Sequence, residues 1–456
     1  MRRFTPRLLV AAVVTAALAV TVGSATGAAR VSGPAYANHV GPTYTASAGE
    51  PSVGVSWRTG AVFLQAGLQT ARAVFDGAGR PTWSRVTSST TSLLSLDPVL
   101  ASDNATGRVF VSQLVGFGSL MAFSDDDGAT WSMSQGSGIP AGVDHQTVGA
   151  GPYPAEVAAG PSTSYPDAVY YCSQELETAL CARSDDGGLT FGAGIPTYTA
   201  LTCGGLHGHV RVGPDGTAYL PNKSCGGRQG VAVSRDAGTS WTVTTVPGSR
   251  AGRGGDPSVA TGRDGTAYLA MADGSGAATV SVSTDRGRSW SSPVDVGAQL
   301  GVVNAAMPSA IAGDGDRAAV AFLGTRTAGD PQDQYFGMDP SHTRYTGGTY
   351  HLYVATTLDR GRTWRTVDVT PRDPVQRGRI CLAGTSCSGD DRNLLDFLDI
   401  QVDRSGRVLV GWADGCVLGC VTSDLVSANT YAAVGTVTRQ TAGTLLFRKP
   451  PPLLAH

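Results

Sequence analysis

The chain has 456 residues, of which 41% are hydrophobic and 15% charged, with 34 basic against 36 acidic side chains. The apolar content excludes a disordered chain, and the balanced charge excludes the basic surface of a nucleic-acid-binding protein. The 61 glycines and 25 prolines indicate many short strands joined by tight turns instead of long helices.

The N-terminus has the pattern of an export signal. Arg2 and Arg3 precede an apolar run at residues 8–22, and small residues follow up to Ala29. We therefore expect residues 1–29 to be a signal peptide and the mature protein to be secreted and extracellular. The apolar run is shorter than the roughly 20 residues that cross a bilayer, and no later run is longer, so no membrane span is predicted.

A short motif, Ser/Thr-x-Asp-x-Gly-x-Ser/Thr-aromatic, follows alternating apolar residues five times along the chain. The copies lie at residues 124–131, 184–191, 234–241, 283–290 and 357–364. Each fits the turn of a β-hairpin, because the Asp carboxylate can accept backbone N–H bonds and the Gly can adopt a positive φ. The aromatic residue is expected to pack beneath the turn.

This motif resembles the Asp-box, or BNR repeat, of the sialidase superfamily, whose members are β-propellers. The resemblance implies an all-β fold of four-stranded antiparallel sheets. It also implies that the motifs lie between the third and fourth strands of each blade, on the face opposite the active site. The activity itself does not follow from the fold.

A second pattern sets the number of blades. A polar residue, usually followed by proline, opens a small-apolar strand seven times, at Glu50, Asp97, Tyr153, His207, Asp256, Met307 and Asp396. Seven openings at intervals of roughly 50 residues predict a seven-bladed propeller, with six blades as the alternative. We expect a flexible N-terminal segment at residues 30–44, the propeller at 45–448 and a C-terminal tail at 449–456. The outer strands of the last blade are expected at residues 430–437 and 444–447.

The openings should surround the mouth of the central channel, because the first strand of each blade is the innermost. Carboxylates gathered there suit acid–base catalysis or a bound cation. The predicted catalytic residues are Glu50, Asp97, Asp256 and Asp396. The predicted substrate-binding residues, from the openings and the loops beside them, are Tyr153, His207, His209, Arg211, Asp144, His145, Arg344 and Arg392. Ca²⁺ at the channel mouth is the one cofactor considered.

Eight cysteines in an exported chain favour disulfides over metal thiolates. Eight cysteines allow about 105 pairings, so the connectivity stays open from the count alone. Predicted strand positions favour the pairs Cys172–Cys181, Cys203–Cys225, Cys381–Cys387 and Cys416–Cys420. All four would then lie on the loops around the channel mouth.

The preferred function is a sialidase-like glycoside hydrolase acting on an extracellular glycan or polysaccharide through paired carboxylates. True sialidases carry an Arg-Ile-Pro element near the first blade, and here that region has the sequence Gly49-Glu50-Pro51-Ser52. The difference argues against sialic acid as the substrate. Two alternatives are a non-catalytic secreted propeller that binds a glycan or protein, and a polysaccharide lyase with Tyr153 or a histidine such as His207 as the base. We expect a monomer.

Overall fold

The computed structural model describes Met1 and residues 33–454, except 90–96, 116–117, 136–143, 158–164, 176–177 and 388. The predicted signal peptide therefore lies outside the described residues, Met1 apart. Residues 33–454 form seven small antiparallel sheets arranged as a seven-bladed β-propeller, which confirms the predicted fold class.

Each blade has four strands, numbered here from the innermost to the outermost. Blades 1 to 3 comprise β2 (Ser52–Val55), β3 (Val62–Ala66), β4 (Gln69–Phe75) and β5 (Pro81–Arg85); β6 (Pro98–Ser102), β7 (Val109–Val115), β8 (Gly118–Ser124) and β9 (Ser132–Met133); and β10 (Asp144–Gly151), β11 (Ala168–Gln174), β12 (Ala179–Ser184) and β13 (Ile195–Pro196). Blades 4 and 5 comprise β14 (Arg211–Val212), β15 (Ala218–Cys225), β16 (Arg228–Ser234) and β17 (Thr242–Thr245), then β18 (Ser258–Thr261), β19 (Ala267–Ala272), β20 (Ala278–Ser283) and β21 (Val294–Asp295).

Blade 6 comprises β22 (Asn304–Ala312), β23 (Ala318–Thr325), β24 (Thr349–Thr357) and β25 (Arg365–Asp368), with β26 (Gln376–Arg377) pairing beside β24. Blade 7 comprises β27 (Asp399–Val402), β28 (Val408–Asp414), β29 (Val434–Ala442) and, as its outermost strand, β1 (Ala35–Val40). Innermost strands of successive blades contact one another around the whole ring, and β27 contacts β2 where the ring closes.

Blade 7 joins the two ends of the propeller in one sheet. β1 pairs antiparallel with β29, with Ala35 opposite Ala442 and Val40 opposite Thr436. The expected flexible segment at residues 30–44 therefore contains a strand, and the expected outer strand at 444–447 is wrong. The physical reason is that the outer edge of β29 needs a hydrogen-bonding partner, and the N-terminal strand satisfies it.

Blades 3 and 6 begin earlier than the sequence pattern predicted, at Asp144 and Asn304 instead of Tyr153 and Met307. Both innermost strands contain a bulge, at His145 (φ 52°) and Met307 (φ 54°), where the pairing register shifts. A bulge inserts an extra residue and breaks the alternation of side chains that marks a strand in sequence. Pro154 and Pro308 therefore do not mark the first residues of these strands.

The core lies between neighbouring blades. Second strands such as β3, β11, β19 and β28 are buried along their whole length because both faces contact a neighbouring blade. Between blades 4 and 5, for example, Tyr219 packs with Leu269 and Trp290. Burial on both faces explains why the sequences of these strands are almost continuously apolar instead of alternating.

The five repeated turns join the third and fourth strands of blades 2 to 6, as predicted. In the blade 4 copy, the Asp236 carboxylate accepts bonds from Ser240 N (2.9 Å), Ser240 Oγ (2.6 Å) and Ser234 Oγ (2.8 Å). Ser234 Oγ in turn accepts a bond from Gly238 N, and Gly238 has φ 78°. The other four copies have the same contacts, which confirms that the Asp caps the turn.

Helices are short throughout the described part of the chain. One α-helical turn spans Gly419–Thr422, and 3-10 turns lie at Thr43–Thr45, Ala298–Leu300, Gly384–Ser386, Asp390–Arg392 and Val426–Ala428. No helix within the described residues has the length and hydropathy needed to cross a membrane.

Candidate functional site

The innermost strands all begin at the end of the channel opposite the five repeated turns, because each blade alternates strand direction. We call this end the mouth. The predicted carboxylates Glu50, Asp97, Asp256 and Asp396 directly precede or lead into β2, β6, β18 and β27 at the mouth. The structure therefore brings all four residues to one end of the channel.

Glu50 is the most buried of these carboxyl groups. It lines a small pocket with Asp97, His145, His207 and His209, and its side chain is only 2% exposed. Burial raises the pKa of Glu50 well above its usual range, and the nearby charges of Asp97 and Asp396 raise it further. Burial in this pocket therefore favours the protonated form of the Glu50 carboxyl group. Its Oε2 atom has no hydrogen-bond partner among the described residues.

Asp396 is held by a two-pronged ion pair. Arg392 Nη1 and Nη2 donate to Asp396 Oδ1 and Oδ2 at 2.6 and 2.5 Å, and Arg392 Nη1 also donates to the Cys381 carbonyl. Parallel bonds of this kind fix both the position and the charge of a carboxylate. Glu50 thus lies beside a firmly positioned Asp396 side chain, whose charge raises the pKa of Glu50.

Asp256 has two partners, an imidazole and an ammonium group. His145 Nδ1 lies 2.8 Å from Asp256 Oδ2, and Lys223 Nζ lies 3.6 Å from Oδ1. Burial acts to raise the pKa of Asp256, but His145 and Lys223 outweigh it and hold this pKa at about 2. The left-handed backbone at His145 is what turns its ring away from the regular strand, toward Asp256.

The other two histidines complete the pocket wall. The His207 ring centroid lies 6.1 Å from that of His145, and His209 packs edge-on against Phe397 at 4.5 Å. Burial, together with the charge of Arg211, lowers the pKa of His209 to about 3, so His209 is neutral at physiological pH. An uncharged imidazole in this position can accept or donate one hydrogen bond without adding charge.

Arg211 lies in the channel, where it spans from blade 4 to blade 7. Its Nη2 atom is 3.2 Å from Asp399 Oδ1, while Asp399 Oδ2 accepts a bond from Val53 N. Burial raises the pKa of Asp399 even though Arg211 acts to lower it. The Arg211 cation is therefore already paired, and its role at the mouth is structural in this arrangement.

Three of the eight predicted substrate-binding residues, His145, His207 and His209, line the mouth pocket. Tyr153 follows β10 on the face of the repeated turns, where its hydroxyl donates to Asp185 at 2.7 Å, so its predicted position at the mouth is wrong. Arg344 is 55% exposed and pairs with Asp424 on the loop of blade 7. Asp144 begins β10 opposite Gln174, and its side chain lies outside the described residues.

Lys223, Gln146 and Phe397 are site residues that the sequence prediction missed. Lys223 reaches Asp256 from near the end of β15, and Gln146 and Phe397 line the mouth pocket. The one sequence signal for Lys223 was its rarity, since the chain has only two lysines.

The four predicted disulfides are all present: Cys172–Cys181, Cys203–Cys225, Cys381–Cys387 and Cys416–Cys420. They join strand ends and loops on the mouth side of the blades. Bridges in these loops limit their freedom and so preorganise the site.

A metal site is not formed by the part of the chain that the structure describes: no group of three or more His, Cys, Asp or Glu side chains is arranged to hold an ion. The Ca²⁺ considered at the mouth therefore has no ligand set there. The carboxyl groups have protein partners instead: Arg392 pairs with Asp396, and His145 and Lys223 lie beside Asp256, while burial favours the protonated form of Glu50.

The architecture defines the class of protein as a seven-bladed β-propeller. No protein-family model matches the chain, and no well-characterised protein matches its sequence. A streptogramin B lyase structure aligns at 10% identity and TM-score 0.45, over 89% of this chain and 98% of that one. The BP39L lectin from Burkholderia pseudomallei aligns at 14% identity and TM-score 0.45, over 80% of this chain and 93% of the lectin. The Hadza microbial sialidase Hz136 aligns at 15% identity and TM-score 0.38, over 86% of this chain and 65% of the sialidase. This likeness concerns the fold alone.

Proposed function

We propose that the protein is a secreted glycoside hydrolase that cleaves an extracellular glycan or polysaccharide at the mouth of the propeller. The observation that carries the proposal is the burial of Glu50 beside Asp97 and Asp396, which raises the pKa of its carboxyl group well above the usual range. A general acid in glycoside hydrolysis needs this raised pKa, so that it can give a proton to the leaving oxygen. The four disulfides support an extracellular location.

In this mechanism Glu50 donates its proton to the glycosidic oxygen as the bond to the anomeric carbon breaks. Asp97 is only partly buried and lines the same pocket, so it is the candidate for nucleophile or for the base that activates water. Asp396 and Asp256 are held by their cations and are assigned to positioning, together with Arg392 and His145. Glu50 and Asp97 are thus assigned to the chemical step, whereas Asp256 and Asp396 are assigned to positioning.

The test is release of reducing sugar from a panel of neutral and acidic polysaccharides, with Glu50→Gln beside the wild type. Loss of general acid catalysis should lower kcat by about 10²- to 10⁴-fold, while the melting temperature at neutral pH should not fall, because Gln resembles the protonated acid and does not titrate. Asp236→Ala, on the opposite face, is the control for nonspecific effects. If the wild type retains a glycan without any turnover, the non-catalytic binding alternative replaces this proposal.

A lyase is a second candidate because of the contact between His145 and Asp256. A buried carboxylate 2.8 Å from Nδ1 orients an imidazole and strengthens it as a base. Such a base could remove the proton beside a uronate carboxylate, with the electrons of that bond forming a double bond as the linked sugar leaves. The unsaturated product absorbs in the ultraviolet and the hydrolase product does not, so the absorbance of the digest separates the two reactions.

A further inference from the structure

A cavity between blades 5 and 6 lies on the mouth side of the propeller, apart from the pocket around Glu50. Its walls come from the hairpin between β19 and β20, the start of β22, and the insertion between β23 and β24. Its volume is about 100 Å³. This is well above the ~10–15 Å³ that holds one water, so the cavity has room for a small ligand.

The lining of the cavity combines an apolar floor with polar groups at the sides. Tyr350 and Ile380 form part of the floor and are almost fully buried. The Tyr350 hydroxyl makes no hydrogen bond to any described residue, and its oxygen is not among the fully buried unpaired polar atoms of the described chain. This hydroxyl is thus an unused polar group at the cavity.

Charged groups at the cavity include one cation and two carboxylates. Arg253 is exposed and has no ion-pair partner within the described chain. Asp273 accepts bonds from Ser275, and Asp330 accepts a bond from Gln332 N at 3.0 Å, each through one oxygen. The Asn304 side chain, which also lines the cavity, uses its amide nitrogen on the Thr327 carbonyl. Acceptor oxygens therefore outnumber donors, and two negative charges oppose an acidic ligand.

We propose that this cavity is an accessory sugar site that takes one neutral pyranose ring. Sugar hydroxyls would donate to the carboxylates of Asp273 and Asp330 and accept from Arg253 and Tyr350. The C–H face of the ring would lie on the apolar floor. Glycines 254, 274, 276 and 329 line the cavity without side chains, which leaves the space open for the ring.

Two chain segments connect the cavity to the mouth. Arg253 and Gly254 line the cavity and are followed in the chain by Asp256. The backbone at Gly255 lies close to the Asp396 carbonyl oxygen, because a Cβ added at Gly255 would be only 3.0 Å from that oxygen. On the other side, Ile380 precedes Cys381, whose carbonyl binds Arg392 beside Asp396. The accessory site and the mouth are therefore neighbours in the fold. The substrate role of the accessory site depends on the proposed hydrolase function, but its binding of a free sugar does not.

The experiment is saturation-transfer NMR with glucose, galactose, mannose, xylose and glucuronic acid, each with the wild-type protein. At least one neutral sugar should bind, and glucuronic acid should not compete with it. Arg253→Ala and Tyr350→Phe should each weaken binding by about tenfold with an unchanged melting temperature, because neither group has a partner in the protein. Ser275→Trp, at an exposed position on the rim, should abolish binding, whereas Ser292→Trp at another exposed position should not.

Glu50→Gln separates this proposal from the proposed hydrolase. The variant should lose turnover and keep the binding of the neutral sugar. The accessory site is refuted if no neutral sugar binds, if glucuronic acid binds in preference, or if Ser275→Trp leaves binding unchanged. It is also refuted if Glu50→Gln abolishes sugar binding, since the sugar would then occupy the mouth.

Discussion

Replacement of Asp256 by Asn tests the charge balance of the mouth. The change keeps the shape of the side chain but removes the negative charge that faces His145 and Lys223. The pKa of Asp256 is about 2 against an ordinary value of 3.8, and each unit corresponds to about 1.4 kcal/mol. The ionised group thus contributes about 2 kcal/mol to stability at neutral pH, and leaving buried cations unpaired can increase the loss to about 5 kcal/mol.

The expected change in melting temperature follows from the size of the protein. With about 2.1 cal/mol/K of unfolding entropy per residue, roughly 420 residues give about 1 °C per kcal/mol. Asp256→Asn should therefore melt about 2–6 °C below the wild type at pH 7, as followed by circular dichroism. Asp424→Asn removes the exposed partner of Arg344 on the same side of the propeller and should change Tm by less than about 1 °C.

The pH dependence gives the sharper test. Because the folded-state pKa of Asp256 lies below its ordinary value, its stabilisation is complete above that value and is lost as the pH falls toward about 2. The gap in Tm between wild type and Asp256→Asn should therefore shrink between pH 4 and pH 3. A gap that is absent at pH 7, or equal at all pH values, would refute the ion-pair assignment.

Three further predictions concern the acid, the repeated turns and ring closure. Activity should fall as the pH rises through the raised pKa of Glu50, since only the protonated acid can donate. Wild-type stability should fall as the pH rises from the ordinary pKa of glutamate toward this raised pKa, and Glu50→Gln should lack this fall; pH profiles of kcat and Tm for both proteins measure the two effects. Asp236→Ala removes three hydrogen bonds to Ser234 and Ser240 and should cost about 1–3 kcal/mol in a denaturant titration while kcat is unchanged. Deleting residues 33–40 should lower Tm and promote aggregation, measured by light scattering, because β29 becomes an open edge.

The sequence predicted the blade architecture because both of its signals are local. A turn motif and a strand opening each lie within a few residues, and their repetition carried the count of seven. The outermost strand of blade 7 had no such signal, because Asn38 bonds to Thr438 from the opposite end of the propeller. Similarly, the bulges at His145 and Met307 break the alternation on which strand prediction depends.

The site was predicted in composition but not in charge state. Strand openings marked Glu50, Asp97, Asp256 and Asp396, yet nothing local to these residues shows which of them carries a proton. That difference arises from burial and from the partners Arg392, His145 and Lys223, which come from other strands and loops. Tyr153 was misassigned because its local Tyr-Pro pair matched the pattern of a strand opening, although Tyr153 follows the end of β10.

We expect Glu50 to hold its proton at neutral pH, and ¹³C NMR of its side-chain carboxyl can measure this directly. The chain has only four glutamates, so selective labelling of the side-chain carboxyl gives four resonances. One resonance, absent from Glu50→Gln, should keep the chemical shift of a protonated carboxyl through neutral pH. If the resonance assigned to Glu50 instead titrates in the ordinary range for glutamate, the residue is no general acid and the account of the site is contradicted.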